Sequence, residues 1–132
     1  MATRTDARVA VISILFAHDS GNEQALKNRD GLYEEKKIRN KQREFADGLL
    51  DGVLSHLEAI DAMIEANLKE WDYDRIGKVD KAILRLGTYE LRFTDTDRPV
   101  IINEAINIAK ELCGDESPSF INGMLDKIKK AD

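Results

Sequence analysis

A stripe of large apolar residues constrains this chain more than any other feature. Phe45, Leu49, Val53, Leu57, Ile60, Ile64, Leu68 and Trp71 recur at intervals of three or four. A period near 3.6 places them on one side of an α-helix, whereas a half-buried strand would alternate. A helix with such a side must bury it against other elements. The only prolines, Pro99 and Pro118, lie late, so helices can run far through the first two thirds. Gly48 and Gly52 lie one turn apart on the stripe-bearing helix. Each is disfavoured there by roughly 1 kcal/mol relative to Ala; close approach of a neighbouring helix is the expected reason, ahead of a site for a ligand that hugs the backbone.

The remaining segments read as helices too. Thr5–His18 is rich in β-branched residues, but Val9 to Ile12 are consecutively apolar, which fits a helix buried all round. Asn22–Asn28 is a short helical piece, followed by a polar, basic stretch to Gln42. Asp72-Tyr73-Asp74 supplies a helix start, and Ile76, Val79, Ile83, Leu86 and Glu90 mark one face of a helix ending near Phe93. After a turn at Thr94–Pro99, a helix spans Val100–Leu112 and stops at Gly114, the residue type that best accepts a left-handed C′ position. Ser117-Pro118 reads as N-cap and N1 of a last helix reaching about Lys130. Asn103 and Asn122 sit in apolar context and are expected to be hydrogen-bonded amides, and Gly123 to mark tight packing. The expectation is an all-α protein, a compact bundle of about six or seven helices forming one domain.

Composition narrows the function. Charged residues make up 34% and hydrophobic residues 42% of 132 residues, as in folded globular proteins. Cys113 is the only cysteine, so no internal disulfide or cysteine-based metal framework exists. His18 and His56 lack a His or Glu at metal-binding helical spacing. No phosphate-binding glycine loop is present, and the scattered carboxylates single out no acid/base pair. No enzyme, metal or cofactor is expected. Arg4 and Arg8 before the run Val9–Ala17 superficially suggest a secretory signal. Asp6 interrupts the basic region and the run is too short to span a membrane, so a cytoplasmic protein is expected.

Charge is unevenly distributed. Residues 1–43 hold 9 Lys and Arg against 6 Asp and Glu, a local +3, and the remainder carries −8 within the net −5. Two basic features stand out. Arg4 and Arg8 project to one side of the first helix, where they oppose its dipole and invite an anion. Lys78, Lys81, Arg85 and Arg92 share one face of the helix that ends near Phe93. By spacing alone, the plainer reading of this second feature is a solvated helix face paired with acidic neighbours.

These residues carry a resemblance. In order come an Arg-bearing first helix, Phe45…Leu49…Gly52-Val53, Ile60-Asp61…Ile64…Trp71, and Asp80-Lys81-Ala82-Ile83-Leu84-Arg85-Leu86…Tyr89-Glu90-Leu91. Ile102-Asn103-Glu104-Ala105 and Phe120-Ile121-Asn122-Gly123 follow. The whole chain resembles the NusB family of bacterial transcription antitermination factors. The resemblance implies an all-helical fold of two small subdomains and a non-enzymatic, RNA-binding role. It implies boxA RNA of nascent ribosomal transcripts and NusE, a small-subunit ribosomal protein, as partners within an RNA polymerase antitermination complex. Arg4 and Arg8 match basic positions that contact RNA. Lys81 and Arg85 gain the same meaning, and Phe120 matches an aromatic position on that surface. Phe16 and Asp80 match positions used toward NusE. Thr5 and Asp6 interrupt what is elsewhere a run of arginines, which predicts that RNA affinity depends heavily on the partner. Two other readings stand beside this one. One is a purely structural protein–protein module; the other is a helical domain of the kind that precedes some RNA methyltransferases, though these 132 residues contain no methyltransferase segment.

Overall fold

The structure, a computed structural model, describes residues 2–68 and 73–130. It is all-α, with no strand among the described residues. Helix α1 (Arg4–Asp19) opens with a capping box: Thr3 Oγ1 accepts from the Asp6 amide at 3.1 Å, and Asp6 accepts from the Thr3 amide at 2.8 Å. Asp6 therefore serves the helix start at a point where it breaks the run of basic residues. Ala7, Ala10, Val11, Ile12, Ile14 and Leu15 are buried, so α1 is enclosed on most sides, as its apolar run predicts.

The basic stretch holds more structure than its polarity suggests. After α2 (Gln24–Lys27) comes α3 (Arg29–Glu35), whose Tyr33 is fully buried and donates to Asp47 at 3.0 Å. Arg29 reaches Asp47 and Asp51 at 3.2 and 2.9 Å, which ties α3 to α4 (Lys41–Ser55).

The stripe expected on one helix is divided. Helix α4 ends at Ser55 and α5 (Leu57–Ala66) begins after His56, whose φ of −117° and ψ of 17° break the helical path. The His56 ring packs on Phe93 at 4.3 Å between centroids, and its Nδ1 lies 2.9 Å from the Gly52 carbonyl oxygen. Neither Pro nor Gly announces this break. Leu49, Val53, Ile60 and Ile64 are buried on either side of it; Trp71 and Asp72 lie outside the described residues. The division, together with α3, gives eight α-helices among the described residues, plus a 3-10 turn at Tyr73–Arg75.

Helix α6 (Lys78–Phe93) is the hub, touching α1, α4, α5, α7 and α8. Every residue from Lys81 to Thr88 is buried. At Gly52 a Cβ would overlap the Tyr89 ring, so this glycine does allow α4 and α6 to approach. Gly48 and Gly123 have nothing within 4 Å of a built Cβ and are exposed; the packing expected of them is absent. Asn103 is likewise exposed rather than buried.

Helices α7 (Arg98–Leu112) and α8 (Ser117–Leu125) each carry proline in the first turn. Helix α7 ends through an extended Cys113 (φ −124°, ψ 175°), so Gly114 does not adopt the expected left-handed conformation. Helix α8 stops at Leu125 rather than near Lys130. There the Arg98 guanidinium collects the carbonyls of Leu125, Asp126 and Ile128 at 3.0, 2.8 and 2.5 Å, satisfying the helix end from outside.

Candidate nucleic-acid interface

The two arginines of α1 occupy opposite environments. Arg4 is exposed, with its guanidinium 4.7 Å from the centroid of the Phe45 ring on α4. Arg8 lies 5.1 Å from the same centroid but is only 2% exposed. Its Nε and Nη2 form a fork on the Glu90 carboxylate at 2.9 and 2.8 Å, and Nη1 reaches Glu104 Oε1 at 2.8 Å. Thr5 donates to the same Glu104 oxygen at 2.6 Å. Burial disfavours the Arg8 cation, but hydrogen bonds and charge from Glu90 and Glu104 outweigh it and raise the pKa. Arg8 was expected to face RNA. Instead it joins α1 to α6 and α7 and is closed to an external phosphate in this structure.

The α6 stripe is also drawn inward. Arg85 is 9% exposed and forks onto Asp61 of α5 at 2.9 and 3.0 Å, with Asp19 at 3.4 Å. Burial opposes its charge, and the Asp61 hydrogen bonds lead the effects that nevertheless raise its pKa. Lys81, also 9% exposed, lies with Nζ 4.5 Å from the Tyr73 ring centroid. The Tyr73 hydroxyl donates to Asp61 at 2.7 Å; burial, then this bond, pushes its pKa up. Arg92 donates to the carbonyls of Lys129 and Lys130 at 3.2 and 3.4 Å. The expected basic face is thus a set of inter-element ties, with Lys78 its exposed member.

Asp80 and Phe120 do come together. They line a cavity of about 210 Å³ with Arg75, Ile76, Gly77, Glu116 and Ser117. The Ser117 hydroxyl lies 2.8 Å from one Asp80 oxygen and 3.1 Å from the other, which joins α8 to the first turn of α6. Phe16 is 39% exposed on the last turns of α1. That end of α1 meets the start of α6, where Lys78 Nζ lies 3.5 Å from the Asp19 carbonyl oxygen. Sequence reading missed the Phe45 platform beneath Arg4 and the Ser117–Asp80 link. The first was hidden because Phe45 fits the core stripe, and the second because 37 residues separate its partners.

The NusB family profile matches residues 5–130. The chain belongs to the NusB family. The transcription antitermination protein NusB of Sulfurovum sp. is 56% identical over 130 residues, covering 98% of this chain and 100% of the relative. That of Helicobacter hepaticus is 52% identical, covering 99% and 84%. Among solved structures, T. maritima NusB superposes with a TM-score of 0.88 at 36% identity, over 96% of this chain and 90% of that one. A chain in the crystal structure of antitermination factors NusB and NusE in complex with double-stranded RNA gives 0.85 at 31% identity, over 95% and 94%. Among the described residues, no NusB-type helix here is long and apolar enough to cross a membrane.

Proposed function

We propose that this chain is a cytoplasmic, non-enzymatic RNA-binding adaptor of transcription antitermination. With NusE it would hold boxA RNA of nascent ribosomal transcripts and help RNA polymerase resist termination. The observation that carries this reading is the near full-length likeness, in sequence and fold, to a chain of the NusB–NusE–RNA complex. Tethering requires surfaces rather than reacting groups. Phosphate contacts supply affinity and salt dependence, while base contacts and the partner supply specificity.

In this reading Arg4 is a phosphate contact, exposed and held beside Phe45. Phe16, Asp80 and Phe120 form the edge that meets NusE and the RNA beside it. Lys81 and Arg85 support that edge through Tyr73 and Asp61 rather than by touching RNA. Arg8 fixes the helix that presents Arg4.

The test is titration of a boxA-like single-stranded RNA across a KCl series, with and without NusE. Specific binding tightened by NusE is expected. Arg4→Ala should flatten the log–log salt slope by about 0.7, the loss of one single-strand phosphate contact. Absence of specific binding even with NusE present would overturn the reading.

A further inference from the structure

The segment joining α3 to α4 carries Lys36, Lys37, Arg39 and Lys41, all exposed. Among the described residues only Arg39 of these is ion-paired, to Glu34 at 3.2 Å on the surface. This contrasts with Arg8 and Arg85, which are buried against carboxylates. Here the cations have been left to solvent, in a chain whose net charge is −5.

Their surroundings form a path rather than a point. Lys37, Arg39, Asn40, Lys41 and Gln42 line a groove of about 660 Å³ together with Ala2. A second groove of about 390 Å³ shares Ala2 and Lys37 and adds Lys36, Val9, Asp6 and Glu111. Ala2 belongs to the segment that leads into Arg4, so the two grooves run beside the start of α1.

The backbone adds donors. Asn40 precedes α4 with φ 54° and its side chain does not cap the helix; the Gln42 amide donates to the Arg39 carbonyl at 3.1 Å, and the amides of Lys41 and Arg43 are left without a side-chain acceptor. Lys37 has φ 59°, so two non-glycine residues hold left-handed conformations and bracket the loop. Gln42 lines the first groove, and its Oε1 is enclosed without a hydrogen-bond partner.

We propose that the Lys36–Lys41 loop and the uncapped first turn of α4 form a phosphate-binding surface that takes single-stranded RNA onward from Arg4. The proposal rests on the RNA-adaptor reading and extends its site. A phosphodiester strand carries one negative charge per nucleotide, matching successive cations along a groove.

The decisive variant combines Lys36→Gln, Lys37→Gln and Lys41→Gln, all outside the core. Fluorescence anisotropy with a boxA-like single-stranded RNA, in the presence of NusE, is read at several KCl concentrations. The variant should flatten the salt slope by about 2, at about 0.7 per lost phosphate contact, and leave NusE affinity unchanged. The corresponding triple Lys→Arg variant should retain the wild-type slope. Should the triple Gln variant fail to fold, Lys41→Gln alone should flatten the slope by about 0.7. Wild-type binding with an unchanged slope in the variants overturns the loop proposal but leaves the adaptor reading standing. Loss of NusE binding with the RNA slope intact also overturns it and assigns the loop to a protein partner. If the wild-type chain binds no RNA even with NusE, both readings fall.

Discussion

Arg8 and Arg4 are separated by one helical turn, yet only Arg4 keeps its charge at the surface. The Arg8 fork leaves Glu90, itself 2% exposed, dependent on a single guanidinium. Removing one member of a buried pair strands the other without solvent, at about 3–5 kcal/mol. Arg8→Ala should therefore lower stability by that amount in urea denaturation, and Arg8→Met combined with Glu90→Leu should lower it far less. A loss below about 1 kcal/mol for Arg8→Ala would mean that the fork is not structurally required. Cys113 makes a second residue-scale case. Burial, then the Asp80 carboxylate, pushes its thiol from an ordinary value near 9 up to about 12. The folded state thus favours the neutral thiol, so stability from this group is complete below pH 9 and declines as pH rises toward 12. Alkylation by iodoacetamide at pH 8 should be slow in the native protein and fast after denaturation; equal rates would contradict this.

At the scale of elements, α4 offers two glycines in the same helix with opposite surroundings. Gly48→Ala adds a methyl group where nothing lies within 4 Å, so the helix should gain up to roughly 1 kcal/mol. Gly52→Ala drives a methyl group into the Tyr89 ring; overpacking of roughly 1–3 kcal/mol should exceed the same propensity gain. Thermal unfolding of both variants checks the signs, and a stabilised Gly52→Ala would refute the close approach of α4 and α6. The stripe that announced α4 and α5 was legible because burial of Leu49, Val53, Ile60 and Ile64 follows directly from helical spacing. The break at His56 was not, because it depends on stacking against Phe93, a residue 37 positions away. Helix α3 was also hidden: its buried face rests on Tyr33, anchored by Asp47 of another helix.

For the whole molecule, family membership was readable end to end because it lies in the order of short phrases, which needs no geometry. The candidate site was only half readable. Spacing placed Arg4, Arg8, Lys81 and Arg85 on shared helix faces, but whether a cation meets solvent or a carboxylate is decided by distant partners. Arg8 meets Glu90 and Glu104 at separations of 82 and 96 residues. The same separations bear on how the chain assembles. Arg98 closes α7 onto the end of α8 across only 27–30 residues, whereas the ion pairs that tie Arg8 of α1 to α6 and α7 span 82 and 96. Loop-closure entropy favours the nearer contacts first. Pulse-labelled hydrogen exchange during refolding should find amides of α7 protected before those of α1, and the reverse order would exclude this sequence of events. Helix α1 can settle on α4 early, but Glu90 gains its guanidinium only when α1 and α6 have met, so burying this carboxylate is a late step that commits both helices at once.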